Sequence, residues 1–191
     1  MAYGRLPASF RAAPLAVRLV APLLTTILFG ALAWRFGSHF ELVPYSVFGT
    51  VGVLLGLIDL VELRVPGALV FVGIAAVGAL FAAAAAADSR WPDFLRALAS
   101  LAILVTIYLM LALIFAGDLG AGDVKLSALL GLVLGWEGWS EVTTGTFLGW
   151  LAAALVWFIL RATGRRKRQS VLPLGPFLVA GALVAIVVMP T

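Results

Sequence analysis

The sequence contains no cysteine and a single histidine, His39. The first absence removes disulfides, thiolate metal sites and cysteine nucleophiles. The second removes any multi-histidine metal centre, so neither a resident metal nor a cofactor is expected. Charge is also scarce. Only 12% of residues are Asp, Glu, Lys or Arg, where a soluble domain carries about a quarter. What remains is apolar: 63% of the 191 residues are hydrophobic and the mean hydropathy is +1.14. The apolar residues come in long blocks with short polar interruptions. That pattern predicts an all-α, polytopic transmembrane helix bundle, a single transmembrane domain over residues 1–191.

A spanning helix needs about 20 mostly apolar residues to cross about 30 Å of hydrocarbon. Six to seven segments qualify, approximately Ala16–Phe36, Val43–Leu60, Gly67–Ala87, Phe94–Ala116, Val124–Trp136, Val142–Leu160 and Val171–Met189. The alanine run Ala82–Ala87 reads as a close-packing helix face. The fifth segment is the weak one: its 13 residues cover only about 20 Å at helical rise. It must run on through Gly138 and Trp139, lie in thinned membrane, or begin below the surface. The last option buries Asp123 at membrane depth. The basic N-terminus has the look of a signal peptide, but without a convincing small-residue cleavage site it is expected to be a retained first helix.

Charge orients the bundle. Five of the thirteen basic residues lie between Arg161 and Arg168. Flanked by apolar blocks, this run reads as a cytoplasmic loop under the positive-inside rule and not as a nucleic-acid patch. With alternating segments, the N-terminus is then inside and the C-terminus outside. Arg5, Arg11, Arg18, Arg64, Lys125, Arg161, Arg165, Arg166, Lys167 and Arg168 fall on the cytoplasmic side; Arg35, Arg90 and Arg96 fall outside. Trp136 and Trp139 stand where an interfacial aromatic belt is expected.

Two carboxylates stand out against this frame. Asp59 ends the second segment and Asp123 begins the fifth, and the topology puts both on the cytoplasmic side. An ionisable residue inside or at the edge of a span is costly and raises a functional hypothesis. Each also has a structural reading. Asp123 could be a helix N-cap. Asp59, at a helix end where the dipole opposes its charge, could pair with Arg64. As a pair they fit one reaction. Two carboxyl groups held close together cannot both ionise easily. One then acts as general base on water while the other donates to a scissile carbonyl. Gly120-Ala121-Gly122-Asp123 adds backbone freedom and room for close approach, though the alternative is an ordinary turn. Asp118 could assist, and Glu62 is a solvated loop residue or a partner for Lys125. Asp88, Asp93, Glu137 and Glu141 fall on the opposite side, as does His39, which disfavours a Ser/His/Asp triad.

At these residues the sequence resembles the type IV prepilin peptidase family of GxGD intramembrane aspartyl peptidases. Leu57-Ile58-Asp59 followed by Arg64-Val65-Pro66 is similar to the family's Asp and Arg-Ile-Pro at the same spacing. Gly120-Ala121-Gly122-Asp123-Val124-Lys125-Leu126 is similar to its GxGD-Val-Lys-Leu block, and Leu172-Pro173-Leu174-Gly175-Pro176-Phe177 to its C-terminal Pro-Phe-Gly-Pro segment. The resemblance covers roughly Val51 to Met189. It implies catalysis by Asp59 and Asp123, with Gly120, Gly122, Lys125, Arg64 and Pro66 supporting the site or the substrate. The implied substrate is a prepilin or pseudopilin whose hydrophobic helix stays in lipid while its short basic leader is cut at the cytoplasmic face of a bacterial inner membrane. Gly67 and Leu174 depart from the usual family residues, which implies altered packing or substrate preference. Many bacterial members carry a cysteine-bearing N-terminal region associated with metal binding and methylation. This chain resembles a short peptidase-only form, for which no methyltransferase activity is expected.

Three other readings compete. One is a different GxGD peptidase acting on preflagellins or signal peptides. Another is a small transporter, which would place carboxylates near the bilayer midplane in broken helices. The third is an inactive relative retained as an assembly factor.

Overall fold

The computed structural model describes residues 15–62, 65–115, 120–163 and 173–189. Within them are seven helices: α1 (Leu15–Phe36), α2 (Leu42–Glu62), α3 (Gly67–Asp88), α4 (Trp91–Ile114), α5 (Ala121–Glu137), α6 (Trp139–Ala162) and α7 (Gly175–Val188). No strand occurs among the described residues. Leu42–Leu60, Gly67–Asp88, Trp91–Ile114 and Trp139–Ala162 are each long and apolar enough to cross a membrane. The all-helical bundle of seven segments is as expected.

The helix ends differ from the expected ones for local reasons. Pro92 at the first turn starts α4 at Trp91, ahead of Phe94, because a first-turn proline gives up no intrahelical bond. Ser89, in the left-handed region at φ 56°, closes α3. Gly138, fully extended at φ 173°, separates α5 from α6, so the fifth segment does not run on through it. That helix instead gains residues at its start. It begins at Ala121 and has 17 residues, about 25 Å, and Asp123 lies in its first turn.

α5 is the axis of the bundle. Every residue from Leu126 to Trp136 is buried, as expected of a helix that is apolar all round and surrounded by protein. α3, α4, α6 and α7 pack around it. α1 lies outside, against α2 and α7. Glycines set the close approaches. A Cβ on Gly131 would stand 2.6 Å from Leu101 Cα of α4, and one on Gly181 of α7 would stand 2.4 Å from the Gly149 nitrogen of α6. Small residues at such crossings are how helices gain packing energy in lipid. In the alanine run, Ala84 and Ala85 are buried while Ala83, Ala86 and Ala87 are exposed, so it does present one packing face.

The end of the bundle away from Asp123 is tied by charge. Because Gly138 stops α5, its last carbonyls have no helical partners. Arg96 of α4 supplies them, donating Nε–H to Gly135 O at 2.8 Å and Nη2–H to Trp136 O at 2.6 Å and Glu137 O at 3.0 Å. Beside it, Arg90 bridges Glu41 and Asp93, each at 2.7 Å. Trp136 is not a belt residue. It is buried, stacked on Phe81 with ring centroids 4.4 Å apart, and lies under the Arg90 guanidinium. Trp139 is half exposed. Replacing Arg96 with methionine is expected to cost about 2–3 kcal/mol through those charge-assisted bonds. Asp93→Asn, at a partly exposed ion pair, is expected to cost under about 1 kcal/mol. Thermal unfolding of the two variants in detergent checks the order.

Candidate active site

α2 and α5, the helices that carry the two aspartates, have no extended packing with each other; α3 and α7 each touch both. The four helices form a diamond, with α2 and α5, the carriers of the two aspartates, at opposite corners. The chain directions put the last turn of α2 and the first turns of α3, α5 and α7 at one end. The described residues of the three separated sequence motifs lie in or just before those turns.

Asp59 is 5% exposed and sits in the last turn of α2. The backbone N–H of Gly175, at the start of α7, donates to its Oδ2 at 3.2 Å. This amide is one of the free donors of a helix N-terminus, and it offsets the unfavourable C-terminal dipole of α2 at Asp59. A glycine leaves the carboxyl undisturbed there: a Cβ on residue 175 would stand 2.9 Å from Asp59 Oδ2 and 3.5 Å from Leu126 Cδ2. The approach of α7 is prepared by two further glycines of α2 that sequence reasoning passed over. A Cβ on Gly52 would meet Val179 at 2.7 Å, and one on Gly56 would lie 3.8 Å from Pro176. Their i, i+4 spacing, one turn and two turns before Asp59, was the available signal.

Asp123 is not the N-cap of α5; Gly120 holds that position. Its carboxyl instead turns back over Gly120, with Oδ2 3.4 Å from where a Cβ would stand, and lies within the electrostatic field of Asp59. Asp123 is half-buried, more open than Asp59. Gly122 admits the chain end before α3: a Cβ there would stand 2.7 Å from Val65 Cβ. Lys125 lies along the start of α3, its Nζ 3.0 Å from the position of a Cβ on Gly67. It is exposed and makes no ion pair among the described residues. Pro66 is the residue before α3 and half-buried. Arg64 and Asp118, like the arginine-rich run from Arg165 to Arg168, lie outside the described residues, and so does the Asp59–Arg64 pairing. The side chain of Glu62 is likewise outside them.

The structure therefore brings Asp59, Asp123, Gly120, Gly122, Pro66, Lys125 and Gly175 to one end of the bundle. Glu41, Arg90, Asp93, Glu137 and His39 lie at the other. Among the described residues no cluster of three or more His, Cys, Asp or Glu could hold a metal ion. The arrangement provides two carboxyl groups at helix ends, one of them fixed by a backbone amide, flanked by glycines that leave backbone accessible.

The comparisons with known proteins point to one family. The chain is similar to a prepilin leader peptidase/N-methyltransferase of Bacillus subtilis (strain 168), 31% identical over 167 residues that make up 86% of the chain and 63% of the relative. A protein of the same description from Burkholderia pseudomallei (strain 1026b) is 41% identical over 63 residues, 33% of the chain and 19% of the relative. The chain thus spans less than two thirds of the length of either relative. No solved structure matches it. The model of the type IV leader peptidase family matches residues 46–189, a stretch that takes in both aspartates and all three motifs, and the chain belongs to that family.

Proposed function

We propose that this protein is an aspartyl endopeptidase that removes the short basic leader of type IV prepilins or pilin-like proteins, with Asp59 and Asp123 as the reacting pair. The observation that carries the reading is the meeting of three motifs at one point. The Gly175 amide bonds Asp59, and Gly175 also packs on Leu126, one turn after Asp123. Separate structural roles for the two aspartates would not need the third motif there.

In this reading a water molecule lies between the carboxyl groups. The ionised member takes its proton as the oxygen attacks the scissile carbonyl carbon, and the protonated member donates to the carbonyl oxygen. Collapse of the tetrahedral intermediate breaks the C–N bond: the proton taken from water goes to the leaving amine, and a hydroxyl of the intermediate returns its proton to the carboxylate that had donated. The pair ends with one proton shared, as it began. The substrate's apolar helix lies in lipid beside the bundle, and its leader reaches the dyad from the cytoplasmic face. Charge supports that orientation: the basic residues concentrate on the loops at the aspartate end, as the positive-inside rule requires.

The test is co-expression with a prepilin whose leader ends in glycine before an apolar helix. Leader removal by the wild type, and none by Asp59→Ala or Asp123→Ala, supports the reading. Equal removal by all three sinks it. Two glycines give a graded version. Gly175→Ala pushes a methyl group against Asp59 Oδ2, and Gly122→Ala pushes one against Val65. Each is expected to lower the cleavage rate by about 10- to 100-fold, since misplacement of a reacting group by about 1 Å costs that much. A gel-shift time course with purified variants measures it.

A further inference from the structure

One buried hydroxyl close to Asp123 has no part in the reaction as proposed. Tyr108 of α4 is 1% exposed. Its oxygen accepts the indole N–H of Trp150 on α6 at 2.9 Å, while its own O–H has no acceptor among the described residues. Buried polar groups are ordinarily satisfied, so a phenol proton left over in a dry bundle calls for an acceptor.

The packing register locates it. α4 and α5 are antiparallel, and Gly131 lies against Leu101 while Gly135 lies against Ala97. Moving two turns toward the aspartate end brings Tyr108 opposite Val124, the neighbour of Asp123. The direction around α5 agrees. Leu134, on the same stripe as Asp123 three turns further on, packs on Gly145 of α6, and Gly131 and Gly135 turn toward α4. Asp123 therefore borders the wedge between α4 and α6. Tyr108 crosses that wedge to reach Trp150, with ring centroids 6.1 Å apart, and its hydroxyl lies in the field of Asp123.

We propose that Tyr108, aimed by Trp150, is a positioning residue whose O–H donates across one water to the Asp123 carboxyl. This rests on the aspartyl dyad proposed above. The Trp150 N–H occupies an acceptor site of the phenol, which turns the O–H away from α6 and strengthens it as a donor. The bond fixes which oxygen of Asp123 faces the water and substrate.

The experiment measures kcat, KM and the pH–rate profile of leader cleavage for wild type, Tyr108→Phe, Trp150→Phe, the double variant and Asp123→Asn, with thermal unfolding of each. Tyr108→Phe keeps the ring and removes only the hydroxyl. It is expected to lower kcat on the order of 10-fold, the loss typical of one hydrogen bond to a charged group. KM stays within about 2-fold, because an interaction with a reacting group is removed and not one of uniform binding. The limb of the pH profile governed by the aspartates is displaced. Trp150→Phe gives a smaller loss of the same kind, and the double variant is no slower than Tyr108→Phe, because Trp150 acts through the hydroxyl. Unchanged kcat and pH profile in Tyr108→Phe overturn the proposal. So do losses that add in the double variant and follow thermal stability, which mark an ordinary helix–helix bond. If Asp123→Asn cleaves like the wild type, the dyad itself is wrong. If Asp123→Asn is inactive and Tyr108→Phe is not impaired, only the role of Tyr108 fails.

Discussion

Asp59→Asn and Asp123→Asn are each expected to lower leader cleavage on the order of 10⁴-fold, as loss of one member of a catalytic unit does, while the protein stays folded. Asparagine has the shape of aspartate but cannot take a proton from water or cycle between acid and base. The fold has no need of the charge on Asp59. Asp59 is buried with a backbone amide as its hydrogen-bond partner and forms no ion pair among the described residues. An amide oxygen can accept the same bond from Gly175. Removing a buried charge that lacks an ionic partner relieves a desolvation cost. Thermal stability in detergent is therefore expected to hold or rise as activity vanishes. This separation is what distinguishes a reacting pair from two structural carboxylates, whose loss would lower stability first. An Asp123→Asn protein that cleaves within about 10-fold of wild type would rule out the dyad, because general acid–base catalysis alone contributes about 10²- to 10⁴-fold.

Gly181→Leu is expected to disrupt the bundle. A Cβ at residue 181 would stand 2.4 Å from the Gly149 nitrogen and 2.6 Å from the Gly145 oxygen. Both atoms belong to the backbone of α6, so no side-chain rotation makes room. The reciprocal contact is also close, with a Cβ on Gly149 2.9 Å from Leu178 Cα. α6 and α7 would have to separate along their length, at a cost of about 3 kcal/mol or more, the upper range for overpacking. The damage reaches the site as well, because α7 carries the Gly175 amide to Asp59. Loss of activity and of detergent stability should therefore go together, unlike in the asparagine variants. Gly30→Leu is the control. Gly30 is exposed on α1 with nothing within 4 Å of its Cβ position, and the substitution is expected to leave both unchanged. A stable, active Gly181→Leu protein would show that the α6–α7 crossing is wrong.

Much of the candidate site could be read from the chain because it is written in rare residues. In a sequence with 9 acidic residues, two aspartates at helix ends are conspicuous, and polar breaks between apolar blocks mark the helices. The supporting contacts were harder to read. The Gly175 amide has no side chain to attract notice, and Gly52 and Gly56 are two among 20 glycines. The short fifth segment was the one span that length could not settle. Asp123 belongs to the first turn of α5 and not to the loop before it, because Gly120 takes the N-cap position.

The sequence by itself determined that the chain is a helical membrane bundle, roughly where its helices lie, and that Asp59 and Asp123 are the residues to watch. Hydropathy and charge suffice for that, since lipid imposes length and sidedness on every span. Only the tertiary structure decided which faces meet protein. A helix in lipid is apolar on both its packed and its exposed side, so periodicity cannot tell them apart. For this reason Trp136 read as an interfacial residue when it is in the core, and Tyr108 gave no sign of being buried against Trp150. The convergence of three distant motifs around Gly175 is likewise a property of crossing helices, set by glycines that let backbones approach.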